Sequence, residues 1–311
     1  MLERAIDVVA NGARLVGTLC LPSERSAFPV VLMVHGSGPL DRDQNMKGQK
    51  LDVFNTIAQR LAQVGVGSVR YDKRGCGASQ GDYYAAGYHQ LVEDVVCWFD
   101  LLESAEHTRA EQVFLLGHSE GCLVAAQASL HRPAVAALML LCPFVEPTED
   151  ILMHQAAQIE RELEAKTGFA GLVVGLVTRL MGSPVANQRA LIGKLRASTE
   201  PSLRVGLQRL PAKCLRELLS VDAQQVYAAT RCPMLLIGGD KDLQCNPADV
   251  SRIASLAVGP VESHVIANLT HLLRRDDQAP TILGAARVLA QPVDAELLEL
   301  VAQWASSHSG G

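Results

Sequence analysis

Val113–Cys122 reads VFLLGHSEGC, an apolar run that stops at a glycine, passes through three polar residues and meets a second glycine. The consecutive apolar side chains from Val113 to Leu116 fit a strand covered on both faces. Residues 120–130, EGCLVAAQASL, fit a helix, so the polar residues fall on a strand-to-helix turn. Gly117-His118-Ser119-Glu120-Gly121 matches G-x-S-x-G, in which a sharp turn strains the serine backbone and the glycines remove Cβ atoms that would clash with neighbouring chain. The Ser119 hydroxyl is then exposed above the sheet, beside a helix N-terminus that favours developing negative charge. A glycine-rich turn with Ser119 as a mere helix N-cap is the plainer alternative. The rest of the chain decides between them.

Working outward, residues 4–9 and 14–21 are β-like runs joined at Asn11-Gly12, a dipeptide suited to a tight hairpin turn. The run FPVVLMVHGSGP (28–39) predicts a buried strand ending in a glycine loop. Residues 52–64 place Val53, Ile57, Leu61 and Val64 at helical spacing. GVGSVRYD (65–72) reads as strand, 87–104 as helix, 112–118 as strand and 135–144 as strand. This alternation implies a parallel sheet with right-handed crossovers.

The rhythm then stops. Residues 145–229 contain no strand pattern and read as helices punctuated by Gly168, Gly171, Gly182, Pro184, Pro201 and Pro211. CPMLLIGGDKD (232–242) restores the strand signal, followed by a helix near 247–256, the strand VESHVIA (261–267), and helices near 280–290 and 294–307. The expected organisation is a core of residues 1–144 and 230–311 with a helical insertion at 145–229. Within the insertion, the apolar residues 172, 173, 176, 177, 180 and 181 share one helical face, expected to roof the site. Residues 179–216 carry eight bases against the single acid Glu200, read as solvated helix faces, with attraction of an anionic substrate or a membrane surface as the alternative.

A serine hydroxyl needs a general base, itself oriented by a third group. In open parallel sheets such groups stand just beyond the carboxyl ends of strands. After the strand at 233–239 come Asp240, Asp242 and Asp249. Asp242 lies on the turn and is preferred as the acid, with Asp240 the alternative; Asp249 suits a helix N-terminus. His264, His271 and His308 follow. His264 sits inside a strand and His308 in the tail, which leaves His271 as the base. The oxyanion donors expected are the backbone N–H of Glu120, after the nucleophile, and that of Ser37 in the loop His35-Gly36-Ser37-Gly38-Pro39. Asp41, Arg42, Asp43, Asp72 and Arg74 read as loop-bracing ion pairs.

Of the 311 residues, 48% are hydrophobic and 20% charged, and the formal net charge is −5. This is a globular composition without the basic field of a nucleic-acid binder. The eight cysteines are scattered with no C-x-x-C pair, so no metal site is expected and the thiols read as reduced and packed. The start lacks a basic n-region and a continuous apolar h-region, and no apolar run reaches the length of a membrane span; a cytoplasmic protein is expected.

Taken in order, HGSGP (35–39), YDKRGCGASQGD (71–82), GHSEG (117–121), GGDKDLQCNPAD (238–249) and NLTHLL (268–273) resemble the α/β-hydrolase superfamily over nearly the whole chain. HGSGPLDRDQN beside GHSEG is similar to bacterial serine hydrolases of the carboxylesterase, cinnamoyl-esterase-like and serine-aminopeptidase-like branch. The resemblance implies an α/β-hydrolase fold, a mostly parallel doubly wound sheet with an N-terminal antiparallel pair and an inserted helical lid. It implies Ser119 as nucleophile, Asp242 as acid, His271 as base and the Ser37 and Glu120 amides as oxyanion donors, supported by His35, Gly36, Gly117, His118 and Gly121. Cys122 stands where relatives often carry glycine, and Cys245 where valine is usual; both are expected to alter packing only. The activity expected is hydrolysis of an ester with an apolar or aromatic group, with thioesterase or amidase/aminopeptidase activity as the alternative and a non-catalytic ligand-binding protein as the lesser one. No cofactor is required. The expected partner is a small-molecule ester, without nucleic acid or stable membrane insertion, and a homodimer is compatible with these features.

Overall fold

The Asn11-Gly12 turn forms as its residues dictate: φ is 46° at Asn11 and 75° at Gly12, joining β1 (Leu2–Ala10) to β2 (Ala13–Leu21) in an antiparallel pair. The computed structural model describes residues 2–23, 27–105 and 108–309, without the side chains at 110, 111, 169–171, 177 and 181. Strand and helix then alternate: β3 (Phe28–Val34), α1 (Val53–Gln63), β4 (Gly67–Tyr71), α2 (Tyr88–Glu103), β5 (Thr108–His118), α3 (Glu120–His131) and β6 (Ala137–Leu141). A block of α4 (Thr148–Glu164), α5 (Gly168–Met181), α6 (Pro184–Ala197), β7 (Leu203–Val205), β8 (Gln208–Leu210), α7 (Ala212–Leu218) and α8 (Ala223–Ala229) interrupts them. The chain ends with β9 (Met234–Gly239), α9 (Asp249–Leu256), β10 (Val261–Ile266), α10 (Ala285–Leu289) and α11 (Ala295–Ser307).

Among the described residues the main sheet has eight strands in the order β1-β2-β4-β3-β5-β6-β9-β10. Only the β1–β2 and β2–β4 pairings are antiparallel. The near-continuous apolar runs feed two cores at once, because successive side chains of a strand point to opposite faces. Val30, Leu32, Leu115, Leu138 and Leu236 pack with α2, α3 and α9 on one face. Val31, Met33, Leu116, Met139 and Ile237 pack with α1 and α11 on the other. This is the α/β-hydrolase fold, and its parallel strands bring the ends of β3, β5, β6, β9 and β10 to one edge of the molecule. No helix among the described residues is long and apolar enough to cross a membrane.

Two expectations for residues 145–229 fail. The segment is not purely helical: β7 and β8 form a hairpin through Gly206, at φ 59°. Nor does α5 roof the site: Leu172, Val173, Leu176 and Leu180 are 75, 45, 59 and 75% exposed. The reason is positional. α4 follows β6 directly and occupies the space above the strand ends together with α7, whereas α5 packs on α4. The side chains of Val177 and Met181 lie outside the described residues. In the basic stretch, Arg196 pairs with Glu149, Arg209 with Asp82 and Lys213 with Glu217.

Candidate active site

The turn between β5 and α3 holds Ser119 at φ 56° and ψ −122°, a conformation that a side chain rarely adopts. Its two glycines are there because the chain is too close for anything else. A Cβ on Gly117 would lie 2.4 Å from the Gly121 carbonyl oxygen, and one on Gly121 would lie 2.2 Å from the Val34 carbonyl oxygen. The Ser119 N–H is held by the Leu141 carbonyl at 2.9 Å. The serine occupies the N-cap position of α3 but its side chain makes no capping bond. Instead its Oγ lies 3.1 Å from His271 Nε2. Cys122 is fully buried, with Sγ 3.2 Å from both the Gly117 and Leu141 carbonyls, so it fills the space against β5 and β6.

His271 stands in the loop after β10, and its Nδ1 lies 2.8 Å from Asp242 Oδ2, on the turn after β9. The other Asp242 oxygen accepts the Gln244 and Cys245 amides at 2.8 and 2.9 Å. Burial opposes ionisation of Asp242, but the His271 ring and these amides outweigh it and hold its carboxyl below the usual range. Asp240 is exposed and turned elsewhere, accepting the Asn268 N–H at 2.6 Å. Asp249 opens α9 and also braces the start of the helical block by accepting the Val145 N–H at 2.9 Å. His264 contacts Glu262, and His308 stacks on Trp304 at 3.9 Å; neither reaches the site. His118 is buried, and its Nε2 lies 3.0 Å from the His271 carbonyl, which fixes the loop carrying His271. Burial and the neighbouring His271 push His118 down to about 3, so it stays neutral and donates this hydrogen bond.

The glycine loop after β3 leans on the elbow: a Cβ on Gly36 would lie 3.2 Å from the His118 carbonyl oxygen and 3.4 Å from Ser119 Cβ. His35 sits beneath it, buried, edge-on to Tyr71 at 4.8 Å, and is pushed down to about 3 by burial and by Lys73. Ser37 Oγ donates to Glu120 Oε2 at 2.7 Å, joining this loop to α3. Among the described residues no hydrogen bond uses the Ser37 or Glu120 amide N–H. Arg42 forks onto Asp72 at 2.6 and 3.1 Å, Arg70 pairs with Asp43 and Arg74 with Asp94, so these charges brace the loops as expected. Sequence reasoning missed Lys73, whose buried Nζ contacts both Gly36 and Glu120. It also read Glu120 only through its backbone.

Ser119, His271, Glu120 and Gly36 open onto a cavity of about 340 Å³. Its walls are largely apolar: Leu40, Met46, Phe144, Ile151, Leu152, Leu215 and Leu218 line it. α4 and α7 thus supply one wall and the core the other. Two groups of potential metal donors, His118 with Cys142 and His271, and Asp242 with Cys245 and His271, each cluster within 4.8 Å. Both share His271, whose nitrogens already face Asp242 and Ser119.

The family model for Hydrolase_4, serine aminopeptidase S33, matches residues 47–278 of this chain. The chain belongs to this family. A curated relative, esterase EstD of Thermotoga maritima, is 25% identical over 300 residues covering 96% of this chain. The chain spans 66% of that protein's length. Among solved structures it resembles Est1E of Butyrivibrio proteoclasticus with ferulic acid bound, at a TM-score of 0.64 and 15% identity, covering 97% of this chain and 98% of that one. The esterase domain of a Rhodothermus marinus protein matches at a TM-score of 0.62 and 19% identity over 100% of both chains. These two likenesses show the fold.

Proposed function

We propose that the chain is a serine esterase that hydrolyses small carboxylic esters carrying an apolar or aromatic group, through an acyl-enzyme. The observation that carries this reading is the unbroken chain Asp242–His271–Ser119 at 2.8 and 3.1 Å, opening into an apolar cavity. Ser119 Oγ attacks the ester carbonyl carbon while His271 Nε2 takes its proton and Asp242 holds the imidazole tautomer. The Ser37 and Glu120 amides stabilise the oxyanion. The tetrahedral species collapses as His271 returns the proton to the departing alkoxide. Water then attacks the acyl carbon, gives a proton to His271, and the acid leaves with Ser119 restored. Residues 145–229 act as a lid whose α4 and α7 shape the acyl or alcohol pocket.

The names of the relatives agree with ester cleavage, and the ferulic acid bound to Est1E favours an aromatic acyl group. The family description raises aminopeptidase activity as a second reading. An aminopeptidase needs a free carboxylate for the substrate ammonium. Among the described residues, Glu120 is the one acid lining this cavity, and Lys73 and Ser37 already occupy it. Steady-state assays on p-nitrophenyl esters of increasing chain length, beside aminoacyl arylamides and acyl-CoA, test the proposal. The expected result is kcat/KM highest for the esters; faster cleavage of the arylamides would replace it with the peptidase reading.

A further inference from the structure

Lys73 opens the turn that follows β4 and is 4% exposed. A buried ammonium is costly unless paired and hydrogen-bonded, so its partners reveal its role. Nζ donates to the Gly36 carbonyl at 2.9 Å and lies 3.3 Å from Glu120 Oε1. The Tyr83 ring covers it, 5.9 Å to the centroid, and the Lys73 backbone N–H donates to the Leu40 carbonyl at 3.2 Å. The second Glu120 oxygen accepts Ser37 Oγ at 2.7 Å.

The Gly36 carbonyl and the Ser37 N–H belong to one planar trans peptide, so they point in opposite directions. Holding the carbonyl therefore aims the N–H, and a cation on the carbonyl oxygen polarises the peptide and strengthens its donor end. Glu120 carries the other oxyanion amide on its own backbone, and its carboxylate ties Ser37 to the elbow. We infer that the buried Lys73–Glu120 pair is the positioning device of the oxyanion hole: Lys73 orients the Gly36–Ser37 peptide and Glu120 fixes that peptide to α3. The carboxylate also neutralises the ammonium, so the hole is polarised without net charge. Both are positioning side chains that touch no reacting atom. The inference rests on the acyl-transfer reading above.

The test compares wild type with the double variant K73M/E120Q, which removes both charges at nearly constant volume and leaves no lone buried charge. Rates on p-nitrophenyl butyrate are normalised to active sites titrated by the p-nitrophenol burst. The expected result is a fall in kcat per site of about 100-fold, the order seen when an oxyanion donor is lost. KM stays within about threefold, because the contact acts on the transition state. Affinity for a trifluoromethyl ketone, which forms a tetrahedral adduct with Ser119, falls in parallel with kcat. A lower titre with kcat per site unchanged would mean an ordinary stabilising ion pair and overturn the inference. If the double variant does not fold, S37A carries the test, since it deletes one hydrogen bond and no charge. A roughly tenfold loss of kcat per site supports the clamp, and no loss overturns it. Failure of the acyl-transfer reading looks different: wild type itself would show no burst and no turnover.

Discussion

At the scale of single residues, the site is a matter of which groups can reach one another. Asp240 and Asp242 are two residues apart, yet one faces the Asn268 amide and the other the His271 ring. Asp242→Asn should therefore lower kcat by about 10⁴-fold, because an amide selects the wrong imidazole tautomer. Asp240→Asn should change it by less than about tenfold, its loss being one hydrogen bond at the loop. Steady-state kinetics of the two variants checks this, and the reverse pattern would assign the acid to Asp240. That Ser119, Asp242 and His271 meet was legible in the sequence because each lies in the turn or loop after a strand, where motif and order carry the information. Lys73 was not. It also follows a strand, inside YDKRGCGASQGD, but that stretch assigns its lysine no role, and its burial depends on partners from two distant segments.

At the scale of elements, the elbow is defined by close approach of chain to chain. A methyl group at position 121 would meet the Val34 and His35 carbonyls at 2.2 and 2.5 Å. Gly121→Ala should cost about 3 kcal/mol or more by forcing α3 away from β3, measurable by urea unfolding. A loss under about 0.5 kcal/mol would show that the elbow is not tightly seated. α4 and α7 wall the cavity, so Leu152→Trp should narrow it. It should cut kcat/KM for long-chain or aromatic p-nitrophenyl esters by about tenfold or more while sparing the acetate. Equal effects on all chain lengths would remove α4 from the substrate pocket. The helical character of residues 145–229 was legible from the break in the strand rhythm and the Gly and Pro punctuation, but two features were not. β7 and β8 have three residues each, within the arginine-bearing run LRVGLQRL, too short for an alternating pattern. The apolar stripe of α5 looked like a roof because periodicity reports a face and not what that face meets.

At the scale of the whole molecule, two neutral histidines lie beneath the site. Burial, with Lys73 beside His35 and His271 beside His118, pushes each down to about 3 from an ordinary value near 6.5. In the unfolded chain both accept protons as pH drops below 6.5, while the folded protein resists until about 3. Stability is therefore full above 6.5 and lost progressively as pH falls toward 3. At pH 5 each histidine accounts for about 2 kcal/mol of that loss. Urea midpoints should fall between pH 7 and pH 5; an unchanged midpoint would mean that these rings are hydrated. The doubly wound sheet itself was legible from the alternation of apolar strands and amphipathic helices, since topology rules leave few ways to arrange them. All of this architecture converges on one side chain. Intact-mass spectrometry after exposure to a fluorophosphonate reads it directly: the account predicts one covalent adduct on the wild type, mapped to Ser119, and none on Ser119→Ala. A folded wild type that stays unmodified, or an S119A variant that is still labelled and still turns over esters, would contradict it.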